Sequence, residues 1–303
     1  MKKVLILLAT YNGEKYLQQQ LDSLYRQSGA EVEILVRDDG SSDGTKEILR
    51  SNQSSEAGSC VLTWYEGEHI GAARGYLELM NRASEKPADY YAFCDQDDVW
   101  DEDKLETAIN ILDSDAPNIP ALYYCGQRLV DDKLNLIADH TLNTERDLKA
   151  RFILSDFAGC TGVFNRALLE EAIKYDPGYL LMHDTWILKI CLGLGGTVHI
   201  DPDCHISYRQ HRDSTLGLGR SLPAYLRQVG QYLNVYMVEP QMRELLKGYG
   251  DRLVSPYREL AETVCSYRTD REARSYLKDK RNIDYRNRGL NLTYRLKILL
   301  NRL

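Results

Sequence analysis

Four strand–helix units in succession constrain the fold of this chain more than any other feature of its sequence. The strand-like runs lie at 4–9, 31–37, 61–65 and 90–94. The first and last are uninterrupted apolar runs, which is typical of parallel strands buried on both faces. Segments with the apolar spacing of a helix follow at 14–27, 45–51, 71–83 and 104–112. This order predicts an α/β fold, in which a Rossmann-like, mostly parallel sheet is flanked by helices.

The turn after the first run argues against two common nucleotide-binding classes. It reads Thr10-Tyr11-Asn12-Gly13, without the G-x-G-x-x-G pattern of dinucleotide-binding dehydrogenases, and the chain contains no P-loop lysine motif. Both patterns serve to hold phosphates on a glycine-rich turn. The sequence therefore disfavours a Rossmann dehydrogenase and a P-loop enzyme.

Three carboxylates, those of Asp95, Asp97 and Asp98, directly follow the fourth run. Acids at the carboxyl end of a central strand point into the crevice where open α/β sheets bind ligands. Like charges this close repel one another, and Mg²⁺ would hold them together while it also binds substrate phosphates. The alternative is a solvated acidic turn that caps the next helix. That alternative explains one or two of the acids but not the apolar run before them.

A second acidic pair, Asp38 and Asp39, ends the second run. Strand ends of a parallel sheet lie side by side, so we expect this pair to face the same cleft as the first cluster. The sequence thus predicts one acidic cleft rather than two separate sites.

The pattern changes after Pro120. We predict strands at 121–125, 127–130, 134–138, 196–200 and 206–208, and helices at 166–174 and from His183 onward. Between them, the segment 155–165 is rich in small residues, and Gly159 and Gly162 would let the backbone approach a ligand closely.

The composition is that of an ordinary folded protein. The chain has 303 residues, of which 43% are apolar and 27% charged. Its seven cysteines form no C-x-x-C pair, which argues against structural zinc or a disulfide framework and favours a reducing cytosol. The apolar run at the N-terminus is too short for a signal peptide, and no stretch approaches the roughly 20 apolar residues of a membrane span. We therefore expect a cytoplasmic protein.

The net charge of −7 divides unevenly along the chain. Residues 220–303 contain 17 Lys and Arg against 9 Asp and Glu, or +8, while residues 1–219 contain 21 against 36, or −15. Helical spacing at 222–237, 241–248 and 253–278 marks this basic part as an α-helical C-terminal region beside an α/β domain of residues 1–219. We expect no nucleic acid partner.

The last stretch, 290–303, has the pattern of a basic amphipathic helix. Such a helix can lie on an anionic membrane, which would place the protein on the inner face of the cell membrane. It can equally pack on the body of the protein or on a partner, and the sequence leaves these alternatives open.

The ordered set of motifs resembles the inverting GT-A glycosyltransferases of family 2, and within them the bacterial rhamnosyltransferase-like branch. The resemblance covers roughly residues 1–215. It is carried by ATYNG at 9–13, DDGSSD at 38–43, DQDDVW at 95–100, HDTW at 183–186 and YRQH at 208–211.

The resemblance implies a nucleotide-sugar donor, held by residues of the first motifs. Thr10, Tyr11 and the pair Asp38 and Asp39 would bind the nucleoside. Arg74 matches a position where the family often has a basic residue near the nucleotide, and a solvated helix arginine is its structural alternative.

The resemblance also implies a divalent metal ion, Mg²⁺ or Mn²⁺, bound to the donor diphosphate. Asp95 and Asp97 match the DxD pair, with Asp97 as the direct ligand. His211 would be a further metal ligand, although a lone histidine is more often structural. Arg209 would contact the diphosphate.

Asp184 matches the catalytic base of the family, which removes the proton of the acceptor hydroxyl. On helix physics alone it is a capping acid in a first turn. The branch implies transfer of L-rhamnose from dTDP-rhamnose to a glycan or lipid-linked acceptor in polysaccharide synthesis. The alternatives are a UDP-sugar donor and a non-catalytic relative that serves as an assembly partner. A sugar nucleotidyltransferase is disfavoured, because residues 10–15 lack its glycine-rich basic loop.

Overall fold

The computed structural model describes residues 1–53, 60–210 and 237–303. The strands are β1 Lys2–Thr10, β2 Ala30–Asp38, β3 Cys60–Glu66, β4 Tyr90–Cys94, β5 Val99–Trp100, β6 Ala121–Val130, β7 Leu136–His140, β8 Gly162–Asn165 and β9 Thr197–Arg209. The helices are α1 Leu17–Tyr25, α2 Thr45–Asn52, α3 Ala72–Ala83, α4 Lys104–Leu112, α5 Leu148–Ile153, α6 Arg166–Ala172, α7 His183–Gly193, α8 Val238–Tyr249, α9 Tyr257–Ser266, α10 Arg271–Lys278 and α11 Arg288–Leu299.

One mixed sheet organises these elements. Its strand order is β3-β2-β1-β4-β8-β6-β9-β5, and β7 pairs with β6. The first half, β3 to β4, is parallel, whereas β8 is antiparallel to both of its neighbours. Helices cover the sheet on both faces, and the predicted α/β fold class is confirmed.

β1 lies at the centre of the parallel half and sets its register. Thr10 pairs with Asp38 of β2 on one side, and Leu8 pairs with Cys94 of β4 on the other. Residues along β1 alternate between two hydrophobic clusters: Leu5 and Leu7 belong to one, and Val4, Ile6 and Leu8 to the other. The uninterrupted apolar run therefore reflects burial on both faces, and the acidic ends of β2 and β4 flank β1.

β9 differs most from the sequence prediction. The two short strands expected at 196–200 and 206–208 form one continuous strand, which pairs with β6 along its length and with β5 near its end. Pro202 is accommodated where the register with β6 shifts. A side chain on Gly126 would bring its Cβ to 2.8 Å from the Pro202 carbonyl oxygen, so glycine is needed for the close approach there.

The C-terminal helices pack directly on the sheet domain. Trp186 of α7 and Tyr249 of α8 make an edge-on contact, with ring centroids 6.0 Å apart, within one hydrophobic cluster. The predicted helical stretch 253–278 is divided into α9 and α10, and Asp270 accepts hydrogen bonds from the first amides of α10. The predicted helix at 222–237 and the expected boundary at 219 lie outside the described residues, apart from residue 237. In the described part of the chain, no helix combines the length and apolar character that crossing a bilayer requires.

Candidate active site

A cavity of about 420 Å³ opens where β1 and β4 end. It is bounded by the loops after these strands, by the loop after β2 and by the first turns of α7. Its lining includes Thr10, Tyr11, Asp39, His69, Asp95, Gln96, Asp97, Gly159, Cys160, His183, Asp184, Lys189 and Tyr208. The cavity therefore brings together acids from the loop after β2, the loop after β4 and helix α7. The sequence predicted that the first two of these groups face one cleft.

Gln96 fixes the loop that follows β1. Its side-chain oxygen accepts hydrogen bonds from the Thr10 hydroxyl at 2.6 Å and from the Tyr11 amide at 2.9 Å. A Cβ on Gly13 would lie 2.4 Å from the same oxygen, which explains the glycine. Tyr11 contacts the ring of His69, with ring centroids 4.4 Å apart. One wall of the cavity thus presents an aromatic side chain to a ligand.

The paired acids Asp38 and Asp39 have different environments. Asp38 is fully buried and accepts hydrogen bonds from the Ser41 amide at 3.0 Å and the Ser41 hydroxyl at 2.5 Å. Asp39 lines the cavity and forms an ion pair with the buried guanidinium of Arg37. Arg37 also donates to Glu78 at 3.1 Å. Asp38 therefore folds the loop, and Asp39 presents its carboxylate to the cavity.

The acids that follow β4 form a cluster with a thiol. Potential ligand atoms of Asp95, Asp98 and Cys160 all lie within 4.8 Å of one another. Asp95 accepts a hydrogen bond from the Tyr76 hydroxyl at 2.9 Å, and Asp98 accepts one from the Arg209 amide at 3.1 Å. The second carboxylate oxygen of Asp98 is buried and has no hydrogen-bond partner among the described residues.

The protonation of this cluster favours a cation with oxygen ligands. Burial and the neighbouring charge of Asp97 raise the pKa of Asp95 to about 6, and burial raises that of Asp98 well above its ordinary value. Burial also raises the pKa of the Cys160 thiol, which therefore stays protonated. The carboxylates of Asp95 and Asp98 repel each other, and one oxygen of Asp98 has no hydrogen-bond partner among the described residues. This arrangement fits Mg²⁺ or Mn²⁺, which take oxygen ligands.

Asp184 lies in the first turn of α7, at the edge of the cavity. Its carboxylate accepts hydrogen bonds from the Gly159 amide at 3.1 Å and from the Thr185 amide at 2.5 Å. Burial nevertheless raises its pKa to about 6. The group is thus ionised near neutral pH, and it has a proton affinity suited to a general base.

His183 is a buried neighbour of Asp184 that supports the site through its ring. Neither ring nitrogen has a hydrogen-bond partner among the residues described, and burial lowers its pKa to about 3. The ring stacks on Tyr76 and meets the edge of Phe93. A Cβ on Gly159 would lie 2.5 Å from Nε2 of His183, so this glycine makes room for the imidazole as well as bonding to Asp184.

The two arginines predicted to contact the donor, Arg74 and Arg209, both make hydrogen bonds to loops around the cavity. Arg74 donates to Asp176 at 2.5 Å and to the Pro177 carbonyl oxygen. The buried Arg209 donates to the carbonyl oxygens of Asp97 at 2.8 Å and Asp132 at 2.7 Å. His211, the further predicted metal ligand, lies outside the described residues.

The sequence interpretation missed three residues of the site. Gln96 lies inside the DxD motif, and Arg37 precedes the acidic pair. The positions of these residues in the sequence do not indicate that Gln96 would bond to Thr10 or that Arg37 would pair with Asp39. Lys189 was visible as the one charged residue in the apolar run ILKICL at 187–192. A charged residue in an otherwise buried helix is a signal that could have been used.

A mixed, largely parallel sheet with acidic loops at its carboxyl edge defines the GT-A class of glycosyltransferases. Residues 5–173 match Glycosyl transferase family 2, so the chain belongs to this family and is a glycosyltransferase. Its relatives include the dTDP-rhamnosyl transferase RfbG of Shigella flexneri, 27% identical over 238 residues that cover 75% of this chain and 79% of RfbG. The family predicted from the motifs is confirmed.

Two solved structures share the fold over 99% of this chain. Staphylococcus aureus TarS, in complex with UDP-GlcNAc, superposes with a TM-score of 0.57 at 16% identity, over 89% of its own chain. The mannosyltransferase PcManGT of Pyrobaculum calidifontis, in complex with GDP-Man and Mn²⁺, gives 0.54 at 18% identity, over 87% of its chain. Both confirm the GT-A architecture.

Proposed function

We propose that this glycosyltransferase moves a sugar, with inversion, from a nucleotide-sugar donor to a glycan or lipid-linked acceptor of a cell-surface polysaccharide. The observation that carries the proposal is one cavity lined by Asp39, by Asp95 and Asp97, and by Asp184. These acids come from three elements, the loop after β2, the loop after β4 and helix α7, and each element matches a different role in the reaction.

The donor nucleoside would bind at the ends of β1 and β2. Asp39 presents a carboxylate that can accept a hydrogen bond from a pyrimidine N–H, and Tyr11 offers a ring beside it. Thr10 holds this loop through Gln96, and Asp38 holds the neighbouring one through Ser41. The base would therefore be recognised by preorganised groups.

Asp95 and Asp97 would hold a divalent cation, Mg²⁺ or Mn²⁺, with Asp98 behind them. When bound, such a cation supplies the positive charge that stabilises a leaving nucleoside diphosphate. The proposal is supported by Asp95 and Asp97 lining the cavity, by the ligand atoms of Asp95 and Asp98 lying within 4.8 Å of each other, and by the raised pKa of Asp95. The Mn²⁺ in the complex of PcManGT is consistent with it.

Asp184 would act as the base. As the acceptor oxygen forms its bond to the anomeric carbon, the bond from that carbon to the diphosphate breaks, and the acceptor proton passes to the Asp184 carboxylate. Its two backbone hydrogen bonds orient the carboxylate before the acceptor arrives. An ionised group with a pKa of about 6 can accept this proton at neutral pH.

We propose dTDP-L-rhamnose as the donor, supported by the similarity to RfbG over most of both chains. A UDP-sugar is the alternative. The test is the unfolding temperature in the presence of dTDP, UDP or GDP, with and without Mn²⁺, since a ligand that binds only the folded state raises it. A Mn²⁺-dependent rise that is largest with dTDP is expected. A larger rise with UDP would favour a UDP-sugar over dTDP-L-rhamnose. No rise with any of the three nucleotides would overturn the proposal of a nucleotide-sugar donor.

We further propose that α11 contacts the inner face of the cell membrane. One face of this helix packs on the protein through the buried residues Tyr294 and Ile298. The opposite face, which we call the leucine face, exposes Leu292, Leu296, Leu299 and Leu300, of which 71%, 39%, 60% and 51% is accessible. Leucines in water at this spacing are unfavourable unless another surface covers them.

The charges around the leucine face favour an anionic bilayer as that surface. Arg288 and Arg295 lie along it, Arg302 follows the helix, and residues 285–303 contain no acid. A second copy of the chain would bring these arginines against each other, whereas anionic lipids attract them. This contact would place the enzyme beside a lipid-linked acceptor.

A further inference from the structure

Lys189 carries a buried ammonium group that the proposed reaction does not use. Only 1% of the residue is exposed, yet it lines the same cavity as Asp184. Within the described part of the chain, its amine makes no hydrogen bond or ion pair. Its neighbours Leu188 and Ile190 are fully buried apolar residues of α7. Because an apolar side chain would suit this helix better, the desolvated charge calls for a ligand.

Lys189 lies on the same helix as Asp184, the proposed base, and not on the loops proposed to bind the nucleotide. It follows Asp184 by five residues on α7, which corresponds to about 7.5 Å along the helix axis. The carboxylate of Asp184 already accepts two backbone hydrogen bonds, from Gly159 and Thr185. The base is therefore held without the lysine, and within residues 1–53, 60–210 and 237–303 no polar group is hydrogen-bonded to the ammonium that lines the cavity.

We propose that Lys189 binds an anionic substituent of the acceptor, a carboxylate or a phosphate, beside the hydroxyl group that Asp184 deprotonates. This inference rests on the proposed function. Asp95, Asp97 and Asp184 make the cavity acidic, so an anionic acceptor would be repelled unless a local cation compensated its charge. A buried ammonium supplies this compensation and up to three hydrogen bonds.

The protonation of Lys189 is consistent with an anion site. Burial lowers its pKa to about 7, and the charge of Asp184 opposes the decrease. The amine is therefore partly neutral near pH 7 when no anion is bound. A bound carboxylate or phosphate would raise its pKa again, so the full charge is present when the anion is there.

The test compares how charged and neutral sugars bind to three proteins: the wild type, Lys189→Met and Lys189→Arg. Each protein is first loaded with Mn²⁺ and with dTDP or UDP, whichever nucleotide stabilises the wild type more. The probes are D-glucuronate, D-glucose 6-phosphate and D-glucose, measured by ligand-observed NMR titration. We expect Lys189→Met to weaken binding of both charged probes at least tenfold and to leave glucose unchanged, and Lys189→Arg to retain part of the preference. Equal affinities of wild type and Lys189→Met for the charged probes overturn the inference, as does a wild type that binds glucose equally well.

A matched control is Lys297→Met, which removes another fully buried lysine, on α11. It should bind all probes as the wild type does. A second arm compares UDP-glucuronate with UDP-glucose: if Lys189→Met loses affinity only for UDP-glucuronate, the anion belongs to the donor sugar and the acceptor assignment is overturned. A wild type stabilised by nucleotide with Mn²⁺ keeps the proposed function intact even when the Lys189 inference fails.

Discussion

The imidazole ring of His183 stacks on the phenol ring of Tyr76, with centroids 3.9 Å apart and planes inclined by 25°. The Tyr76 hydroxyl donates to Asp95 at 2.9 Å, and Asp184 is the residue after His183. This stack therefore couples the helix that carries the proposed base to the acid proposed to bind the cation. The distance between Asp184, the proposed base, and Asp95, a proposed cation ligand, is therefore set by packed aromatic rings.

The buried His183 should make the stability of the protein depend on pH. Its pKa is about 3 in the folded state and 6.5 in the unfolded chain, so between these values the unfolded chain binds the proton and folding becomes less favourable as pH falls. At pH 5 this amounts to about 2 kcal/mol. We expect His183→Phe, which keeps an aromatic ring on Tyr76, to lose less stability than the wild type between pH 7 and pH 5 in urea unfolding. Parallel losses in the two proteins would show that the histidine is not held neutral.

The buried ion pair between Arg37 and Asp39 should be essential for stability. Arg37→Met leaves the Asp39 carboxylate buried without its partner, and such a loss typically costs about 3–5 kcal/mol. Urea unfolding at pH 7 measures it. Arg50→Met is the control, because Arg50 and Glu47 form an ion pair whose side chains are 57% and 69% exposed. Removing this exposed pair should change stability by less than about 1 kcal/mol. The double variant Arg37→Met with Asp39→Asn should recover part of the loss; no recovery would contradict the pairing.

Asp97 and Asp184 should have separable roles, with Asp97 needed for nucleotide binding and Asp184 for the transfer step. Asp97→Ala is expected to abolish both sugar transfer and Mn²⁺-dependent nucleotide binding, because it removes a proposed cation ligand. Asp184→Asn should lower transfer by roughly 10²–10⁴-fold, the contribution typical of a general base, and retain nucleotide binding. Calorimetric titration with nucleotide and Mn²⁺, beside a transfer assay, measures both.

The control for these variants is Asp103→Ala, whose side chain is 59% exposed. It should behave as the wild type in both assays. If Asp97→Ala and Asp184→Asn weakened nucleotide binding equally, the two acids would not have the separate roles proposed here.

The leucine face should be needed for membrane binding and not for folding. We expect the triple variant Leu292→Gln, Leu296→Gln and Leu299→Gln to lose cosedimentation with phosphatidylglycerol vesicles while it keeps its unfolding temperature. The wild type should bind these vesicles at low salt and bind neutral phosphatidylcholine vesicles weakly, because arginines attract anionic lipid. Leu136→Gln, which changes an exposed leucine on β7, is the control. Undiminished sedimentation of the triple variant would contradict the proposal.

The sequence predicted the parallel half of the fold well because its signals are local. The apolar runs of β1 and β4 are buried on both faces, Asp39 directly follows β2, and Asp95 directly follows β4. β5 could not be predicted, since two residues, Val99 and Trp100, become a strand only by pairing with β9, about a hundred residues later. Whether an arginine contacts a ligand or braces a loop depends in the same way on distant partners, as Arg209 illustrates.

The acids of the site were predicted in part for a similar reason. A pair such as Asp38 and Asp39 shows from its spacing that a strand has ended, but not which carboxylate turns inward to Ser41 and which meets the cavity. Lys189 was not predicted as a site residue because helical periodicity describes which side of a helix is apolar and does not show where a cavity lies.

The register of β1 gives the proposed donor site a fixed span. Neighbouring strands lie about 4.8 Å apart, so the loops after β2 and β4, on either side of β1, are separated by about 10 Å. A lone sugar or a lone phosphate cannot contact both, whereas an extended nucleotide can. In the proposed function, base selection and leaving-group stabilisation would therefore be separate, each assigned to the loop after its own strand. Exchanging the loop after β2 for that of a relative should alter nucleotide preference without moving Asp95.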